Sequence, residues 1–387
     1  MARATSSHGY PPAAHGDCGF SITFLRLVRA IDVDIPRVIL PPMSAQNLVG
    51  MLPSQLQDLA VGLGASPYRG RQLATWLYRK GVTKVEEMSD LPRDFRTAVA
   101  ERARAALPEL ERATPSQDGS QKLVFRLEDG ARVSAVVMPD DGRVTLCLST
   151  QVGCGYACAF CLTGTMGLTR NLSASEIVGQ LLVANALLRE GERVTHIVFM
   201  GMGEPLANYT ALVQSLRILT DAKLGLGYSP RRLTVSTVGL VSGIEKLARE
   251  DLKVNLAISL HAASDDVRSR LMPVNRAWNL EALIRAVRAY PLAPRQHVFF
   301  EYVMLDGVND APEEAQRLVR LLRGVRAKVN LIPFNDWEGS TFRRPPLARI
   351  LAFQSILLEA GVTTTVRWSK GEDIGAACGQ LKEPAVA

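Results

Sequence analysis

Long apolar runs and a secretion signal are both missing from this 387-residue sequence. No segment approaches the roughly 20 consecutive apolar residues of a membrane-spanning helix. Residues 1–43 are rich in Ala, Ser, Gly and Pro, but they do not show the basic, apolar and cleavage-site order of a signal peptide. We therefore expect a cytoplasmic protein with no membrane partner. Residues 1–43 are interpreted as a disordered extension, or as a wrongly assigned start with Met43 as the true initiator.

Extremes of composition are missing as well. The chain is 47% hydrophobic and 21% charged, which is typical of a globular protein with a large core and a smaller accessory domain. Its formal net charge is +7 and its pI is about 9.2. A basic balance suits a polyanionic partner such as a nucleic acid. A charge balance that serves only solubility is the alternative.

The main cysteine motif lacks a fourth member. Six cysteines are present, and three of them, Cys154, Cys158 and Cys161, fall within eight positions. Such crowding is a poor layout for disulfides and indicates metal or redox chemistry in a reducing compartment. A structural zinc site or a closed iron–sulfur site needs four protein ligands. Three thiolates on a four-iron cluster would leave one iron open, and S-adenosylmethionine (SAM) is the substrate that uses this spacing.

Three further cysteines lie outside this motif. Cys378 has Gly and Ala neighbours, which favour a flexible loop that can bring a thiol into a site; a stray terminal cysteine is the alternative. Cys147 lies seven residues before the motif and could be a buried small hydrophobic residue. Either thiol could be a fourth metal ligand, so zinc remains the competing interpretation. Cys18 falls in the N-terminal extension and is interpreted as inert.

Residues 44–107 are predicted to be helical. Within the segment 68–80, the apolar residues Leu73, Trp76 and Leu77 recur at helical spacing. The opposite face is basic and carries Arg69, Arg71, Arg79 and Lys80. We interpret this face as a surface that contacts phosphate groups, with a solvated basic face as the alternative.

Residues 119–149 are predicted to form strands. The segments 122–126 and 133–138 flank a Glu-Asp-Gly turn and predict a β-hairpin. Beyond it, apolar strands alternate with amphipathic helices, which predicts a parallel α/β architecture. The predicted strands are 144–149, 195–200, 233–237, 254–260, 298–304 and 328–332.

The chemically active residue types follow these strands. The cysteine motif comes after the first strand, and Gly201-Met-Gly-Glu-Pro205 comes after the second. Ser236, the run Ser259-Leu-His261 and Asn335 mark the ends of three later strands. Parallel α/β folds place their chemistry at the carboxyl ends of the strands. We therefore expect one site at that edge, in which Glu204 can accept hydrogen bonds from a ligand ammonium group; an ordinary strand-to-helix turn is the alternative.

The order of these motifs resembles the RlmN/Cfr family of radical-SAM RNA methyltransferases, over residues 44–382. The C-terminal motif is closer to RlmN than to Cfr. The motifs are Cys147-Leu-Ser-Thr-Gln-Val-Gly-Cys154 continuing to Cys161, Gly201-Met-Gly-Glu-Pro-Leu206, Val235-Ser-Thr237, Ile258-Ser-Leu-His261, Asn330-Leu-Ile-Pro-Phe-Asn335 and Asp373-Ile-Gly-Ala-Ala-Cys-Gly-Gln-Leu381.

The resemblance implies an α/β fold with a partial (βα)6 TIM-like barrel of the radical-SAM type, a small N-terminal helical accessory domain and a β-hairpin extension. The implied domains are the extension 1–43, a helical RNA-binding domain 44–107, a hairpin linker 108–143, the barrel 144–370 and a C-terminal loop 371–387.

The resemblance also implies roles for individual residues. Cys154, Cys158 and Cys161 would ligate a [4Fe-4S] cluster. Cys378 would carry a methyl group, and Cys147 would be its catalytic partner. The SAM site would be lined by Gly203, Glu204, Ser236, Ser259, Leu260, His261 and Asn335.

The implied activity is methylation of C2 of an adenosine in 23S rRNA, with tRNA as a further candidate. C2 of adenine is a poor nucleophile, so a radical route through an S-methylcysteine avoids a direct polar transfer. The implied partners are RNA and an electron donor such as flavodoxin or ferredoxin, and the protein is expected to be a monomer. Two alternatives are C8-methylation, as in Cfr, and a metal-bearing RNA-binding protein without turnover.

One position departs from the family pattern. The family usually carries a Glu, assigned as a proton acceptor, where this chain has Ser134. A Ser hydroxyl is a poor base at neutral pH. Glu128 or Asp129, which are near in sequence, could substitute for it; a slower enzyme or a shifted substrate are the other interpretations.

Overall fold

The computed structural model describes residues 46–383 of the chain. The predictions for residues 1–43 and for Cys18 therefore lie outside the described residues. The α-helices are α1 Pro53–Gly62, α2 Pro67–Ala74, α3 Arg93–Arg102, α4 Ala174–Leu187, α5 Tyr209–Thr220, α6 Val241–Ala248, α7 Asp265–Leu271, α8 Leu280–Ala289, α9 Pro312–Leu321 and α10 Leu347–Glu359.

Fourteen strands occur in the same part of the chain. They are β1 Gln46–Asn47, β2 Ala103–Arg104, β3 Glu109–Pro115, β4 Gln121–Arg126, β5 Arg132–Asp140, β6 Arg143–Cys147, β7 Gln151–Cys154, β8 Gly167–Asn171, β9 His196–Phe199, β10 Leu233–Thr237, β11 Asn255–Ser259, β12 Val298–Met304, β13 Ala327–Pro333 and β14 Thr363–Val366.

The N-terminal helices form a small core of their own. Leu73 and Leu77 are fully buried, as the apolar spacing predicts, but Trp76 is only partly buried. The reason is a π-helical turn, Thr75–Arg79, that continues α2 and turns Tyr78 inward instead. The Tyr78 hydroxyl donates to the carbonyl of Met51 at 2.5 Å, which ties the turn to the start of α1.

Ten strands form one continuous sheet in the described part of the chain, in the order β14-β13-β12-β11-β10-β9-β6-β5-β4-β3. The strands β6 and β9 to β14 run parallel, whereas β3 to β6 are antiparallel neighbours. Helices α4 to α10 connect the parallel strands. The predicted α/β fold with a partial barrel is confirmed. The hairpin extension has three strands rather than two, and it continues the barrel sheet through β6.

Local sequence explains these elements. The strand β12 is almost entirely buried, as expected for a parallel strand that is covered on both faces. The predicted capping box opens α4, because Ser173 Oγ accepts the Glu176 amide and the Glu176 carboxylate accepts the Ser173 amide at 2.8 Å. Among residues 46–383, no helix is both long and apolar enough to cross a membrane.

Candidate active site

A cavity opens at the carboxyl ends of the parallel strands. Strands β6 and β9 to β13 each contribute at least one residue to its wall. Of the twelve predicted site residues, ten line it: Cys147, Cys154, Cys158, Cys161, Gly203, Glu204, Ser236, Ser259, His261 and Cys378. Leu260 and Asn335 lie behind the wall. The prediction that these distant motifs share one site agrees with this geometry.

The cysteine motif is held by a short hairpin. Cys154 ends β7, which pairs with β8. Gly153 has φ +76°, and a Cβ there would come 2.0 Å from the Gly167 carbonyl, so only glycine allows the two strands to approach. The Cys161 amide donates to the Cys158 carbonyl at 3.0 Å, which closes the loop.

Without a bound metal, the three thiols of the motif favour the protonated form. Burial raises the pKa of Cys154 to about 11 and raises the pKa of Cys158 well above its ordinary value. Burial also raises the pKa of Cys161. A bound metal reverses this preference, because a coordinating thiol loses its proton.

The donors fit a cluster better than a single ion. Within residues 46–383, no three His, Cys, Asp or Glu side chains are arranged to share one metal ion. An iron–sulfur cluster binds its thiolates at separate irons, so its ligands need not converge on one point. The described cysteines are all free thiols, including Cys147 and Cys378.

The Gly-Met-Gly-Glu loop places a carboxylate beside the cysteines. Gly203 has φ +99°, and a Cβ would lie 2.5 Å from the Gln151 side chain. Glu204 is buried, and its two oxygens accept the amides of Leu206 at 3.0 Å and Val238 at 2.7 Å. Burial nevertheless raises its pKa to about 7. The Thr237 side chain is a third hydrogen-bond partner, and a carboxylate offers about four lone-pair sites, so Glu204 can still accept from a ligand ammonium group, which would favour its charged form.

His261 is a neutral hydrogen-bonding residue in the cavity wall. Its backbone is left-handed, with φ +57°, and its Nδ1 accepts the Val303 amide at 2.9 Å. Burial and the nearby Arg268 lower the pKa of His261 to about 3, so the ring is uncharged near neutrality with its proton on Nε2. The Phe160 ring packs edge-on at 4.6 Å and joins His261 to the cysteine loop.

Arg268 is a site residue that the sequence analysis missed. It is fully buried on α7 and donates to the carbonyls of Val238 at 2.7 Å, Leu260 at 3.1 Å and Ser259 at 3.2 Å. Burial lowers its pKa only to about 10, so it stays charged near neutrality. Arg268 thus fixes the segments that follow β10 and β11. Leu260 contributes its carbonyl to this network, while its side chain points into the core.

Glu301 is a second residue that was missed. It lies in the middle of β12, lines the cavity and is buried. One carboxylate oxygen accepts from Asn330 at 2.8 Å, and the other has no partner among the described residues. Burial raises its pKa. A charged residue inside the apolar run 298–304 was the signal that could have revealed it.

The two remaining cysteines line the cavity from two separate parts of the chain, the strand β6 and the C-terminal segment. Cys147 is buried at the end of β6, and burial raises its pKa to about 11. Cys378 is exposed towards the open cavity, but the protein packed around its other sides raises its pKa to about 12. Asn335 donates to the Cys378 carbonyl at 3.0 Å and to Ser369 at 2.8 Å. Asn335 therefore supports the Cys378 loop from behind, and its own Oδ1 has no partner among residues 46–383.

The structure shows what surrounds Ser134, the position where the family usually has a Glu. Glu128 pairs with Arg104 at 2.5 Å, and Asp129 pairs with Arg170 at 2.6 Å, so both carboxylates are engaged elsewhere. Ser134 is fully buried on β5, and its hydroxyl donates to the carboxylate of Glu383 instead.

Comparison with known proteins agrees with this site. Residues 148–321 match the model of the radical SAM superfamily, so the fold and the three-cysteine loop define a radical-SAM protein. Residues 46–105 match the ribosomal RNA large subunit methyltransferase N-terminal domain. A dual-specificity RNA methyltransferase RlmN from Syntrophobacter fumaroxidans is 48% identical over 84% of this chain and 95% of its own length. The chain belongs to the RlmN family of radical-SAM methyltransferases.

Further relatives agree with this assignment. The RlmN of Paracoccus denitrificans is 45% identical over 90% of this chain and 92% of its own length. The crystal structure of a radical SAM methyltransferase from Sphaerobacter thermophilus superposes with a TM-score of 0.83, at 44% identity, over 87% of this chain and 98% of that one. Membership in the superfamily implies SAM and a [4Fe-4S] cluster.

Proposed function

We propose that this protein methylates C2 of an adenosine in 23S rRNA, with tRNA as a second candidate substrate, through an S-methylcysteine on Cys378. One observation carries the proposal most strongly: Cys378 and Cys147 face the same cavity as Cys154, Cys158 and Cys161. A site for SAM binding alone would need no thiols beyond the three ligands. The relatives' printed name, dual-specificity RNA methyltransferase, supports an RNA substrate.

The residues divide into three groups in this proposal. Cys154, Cys158 and Cys161 hold the cluster, which together with SAM supplies the one-electron chemistry and the methyl group. The wall that binds SAM is formed by Gly203, Glu204, Ser236, Ser259 and His261. Leu260 and Asn335 support this wall from behind. Cys378 accepts the methyl group. Flavodoxin or ferredoxin is the proposed class of electron donor.

In this scheme the carbon of the S-methyl group on Cys378 bonds to the adenine ring, which links the protein to the RNA. Cys147 acts later, when the bond between that carbon and the Cys378 sulfur is broken. We expect the Cys147→Ala variant to accumulate a protein–RNA species that migrates as a shifted band on a denaturing gel. A Cys147→Ala/Cys378→Ala double variant is the matched control, because it lacks the thiol that forms the link. Absence of the band in the single variant would count against this role.

The accessory domain supplies a candidate RNA surface. Arg71 and Lys80 are exposed, and Arg69 is partly exposed. Tyr68 is exposed beside Arg69 and Arg71, whose guanidinium carbons lie 5.7 and 5.4 Å from its ring centre. Arg79 differs from them, because it donates to the carbonyl of Ala222 on the barrel. We therefore assign phosphate contacts to Arg69, Arg71 and Lys80 and an anchoring role to Arg79.

The decisive experiment is a nucleoside digest of rRNA and tRNA from a host that lacks its own C2-methylator and expresses this chain. Mass spectrometry against 2- and 8-methyladenosine standards reads the product. We expect 2-methyladenosine. If 8-methyladenosine appears alone, the regiochemistry is that of Cfr. If neither appears although the protein is brown and cleaves SAM, the proposed substrate is wrong.

A further inference from the structure

A buried charged cluster lies where the C-terminal segment crosses the antiparallel strands. The Glu383 side chain is 2% exposed, accepts a hydrogen bond from Ser134 and lies 3.0 Å from Lys122 Nζ. Lys122 is itself only 11% exposed at its side chain. Arg112 approaches the other carboxylate oxygen at 3.9 Å from an exposed position. Burying an ammonium and a carboxylate carries a large desolvation cost, so this pair is weak support for stability alone.

The cluster lies beside the cavity, on the same face of the antiparallel strands. Lys122 on β4 is the register partner of Val136 on β5, and paired residues project from the same face of a sheet. Ser134 is two residues before Val136 and so shares that face. On the C-terminal segment, Glu383 follows two residues after Leu381. Val136 and Leu381 both line the cavity, whereas Glu383 itself does not reach it.

The other end of the same segment is held by the same strands. Asp373 accepts from Ser116 Oγ at 2.5 Å and from the Gln117 amide at 3.1 Å, in the turn between β3 and β4. The Gly371 amide donates to Asp118 at 2.8 Å. Residues 371–383 are therefore attached to the antiparallel strands at both ends, with Cys378 between the two attachments.

The two attachments differ in strength. Asp373 is exposed, and contacts between exposed groups contribute little to stability. The Glu383 attachment is buried, and loss of one partner from a buried pair leaves an unpaired charge, which is strongly destabilising. Of these two attachments, the buried one should therefore affect the segment more when it is lost. It acts together with backbone contacts on either side of Cys378, where Gly379 accepts from the Leu162 amide at 2.7 Å and Leu381 accepts from the Thr163 hydroxyl.

We propose that Glu383 is a positioning residue that, through Lys122 and Ser134, closes the segment carrying Cys378 against the cavity. The importance of this closure for catalysis rests on the proposed function, but the closure itself can be measured without any enzyme activity. The proposal also accounts for the small residue on β5. A glutamate at position 134 would extend its carboxylate into the space that the Glu383 carboxylate occupies.

Thiol labelling tests the closure. The full-length protein, with its cluster reconstituted under anaerobic conditions and without SAM, is treated with iodoacetamide, and alkylation of Cys378 is followed by peptide mass spectrometry. We expect Glu383→Ala to raise the labelling rate by about tenfold or more, because release removes the protein packed around Cys378 and opens the thiol to the reagent. A Glu383→Ala variant that labels at the wild-type rate would overturn the proposal.

A matched control lies on the same segment. Glu372 pairs with Arg344 at 2.5 Å, and both side chains are far more exposed than the Glu383 pair. Glu372→Gln should label within about twofold of wild type, as expected for an exposed pair. If Glu372→Gln labels as fast as Glu383→Ala, the closure does not depend on the buried cluster and the assignment to Glu383 is wrong.

A double variant separates closure from the mere presence of a carboxylate. Ser134→Glu/Glu383→Ala keeps a carboxylate beside Lys122, but places it on β5 instead of the C-terminal segment. It also carries the test if Glu383→Ala alone fails to fold. We expect labelling to stay fast in the double variant. A return to the wild-type rate would show that the local charge, not the attachment, is what matters.

The same variants distinguish this inference from the proposed function. In a turnover assay, we expect Glu383→Ala to release 5′-deoxyadenosine with less methylated RNA per SAM cleaved, because the SAM site is intact while the acceptor is displaced. The Glu372→Gln variant should keep the wild-type ratio. If no variant methylates RNA but the labelling rates differ as expected, the proposed function fails and the positioning role stands.

Discussion

The two sides of the cavity are built in different ways. On the barrel side, Glu204 and Arg268 are buried and bound to backbone groups of neighbouring strand ends. On the other side, Cys378 lies in a segment without long regular structure, which side chains attach to a sheet. The comparison indicates that the binding side is part of the core. The side that carries Cys378, the proposed acceptor, is held by hydrogen bonds and ion pairs of single residues, so we expect that it can be altered separately.

Removing a cluster ligand should separate the two sides most clearly. Cys158→Ala deletes a ligand on the barrel side, so we expect loss of the charge-transfer absorbance and of most bound iron after reconstitution. Cys378→Ala deletes only the acceptor and should keep both. Absorbance spectra and iron analysis measure the difference. A Cys158→Ala protein that stays brown with unchanged iron content would contradict the ligand assignment.

The second prediction compares the stability of the two sides through Arg268 and Arg344. Arg268→Met leaves buried carbonyls of Val238, Ser259 and Leu260 without a donor, which should lower the free energy of unfolding by about 3–5 kcal/mol. Arg344→Met, on the other side, breaks contacts at a half-exposed side chain and should cost about 1 kcal/mol. Urea denaturation of both variants measures the difference, and equal losses would remove the contrast.

The third prediction concerns RNA binding at the mouth of the cavity. Trp368 is 53% exposed there, beside Arg367 and Lys370, which also line the cavity. Stacking of a base on an aromatic ring contributes about 1–3 kcal/mol, so Trp368→Ala should raise the Kd for substrate RNA by about tenfold or more. Trp368→Phe is the control and should retain most of the affinity. An unchanged Kd in Trp368→Ala would exclude stacking.

The last prediction concerns the acid–base behaviour of Cys378. Because its pKa is raised to about 12, the thiol is protonated near neutrality and the reactive thiolate is rare. The alkylation rate of Cys378 should therefore rise about tenfold for each pH unit well below that pKa. Free glutathione, measured in parallel, should level off at lower pH. If Cys378 levels off together with glutathione, its thiol is not in a desolvating environment.

The sequence predicted the barrel side well. Strands β10 and β12 were predicted with the residues that the structure shows, because parallel strands buried on both faces are continuous apolar runs. Ten of the predicted site residues share the cavity, since the carboxyl ends of neighbouring parallel strands meet at one edge. Leu260 and Asn335 were the exceptions: the Leu260 carbonyl accepts from Arg268, and the Asn335 side chain donates to the Cys378 carbonyl.

The other side could not be predicted in the same way. The contact between Ser134 and Glu383 joins residues 249 positions apart, and no periodicity of either segment reveals it. Glu128 and Asp129 were the candidates nearest to Ser134 in sequence, and the structure engages both elsewhere. Arg268 was missed for a similar reason, because its acceptors other than Asn275 Oδ1 are backbone carbonyls, which leave no mark in the sequence.

The distance along the chain between these attachments has a consequence for biosynthesis. Ser116 and Asp373 are 257 positions apart, so a ribosome makes the antiparallel strands and the whole barrel before the Cys378 segment emerges. Most of the barrel is therefore synthesised before the segment that carries Cys378. A released chain that ends at residue 370 should therefore bind a cluster but lack Cys378, the proposed methyl acceptor.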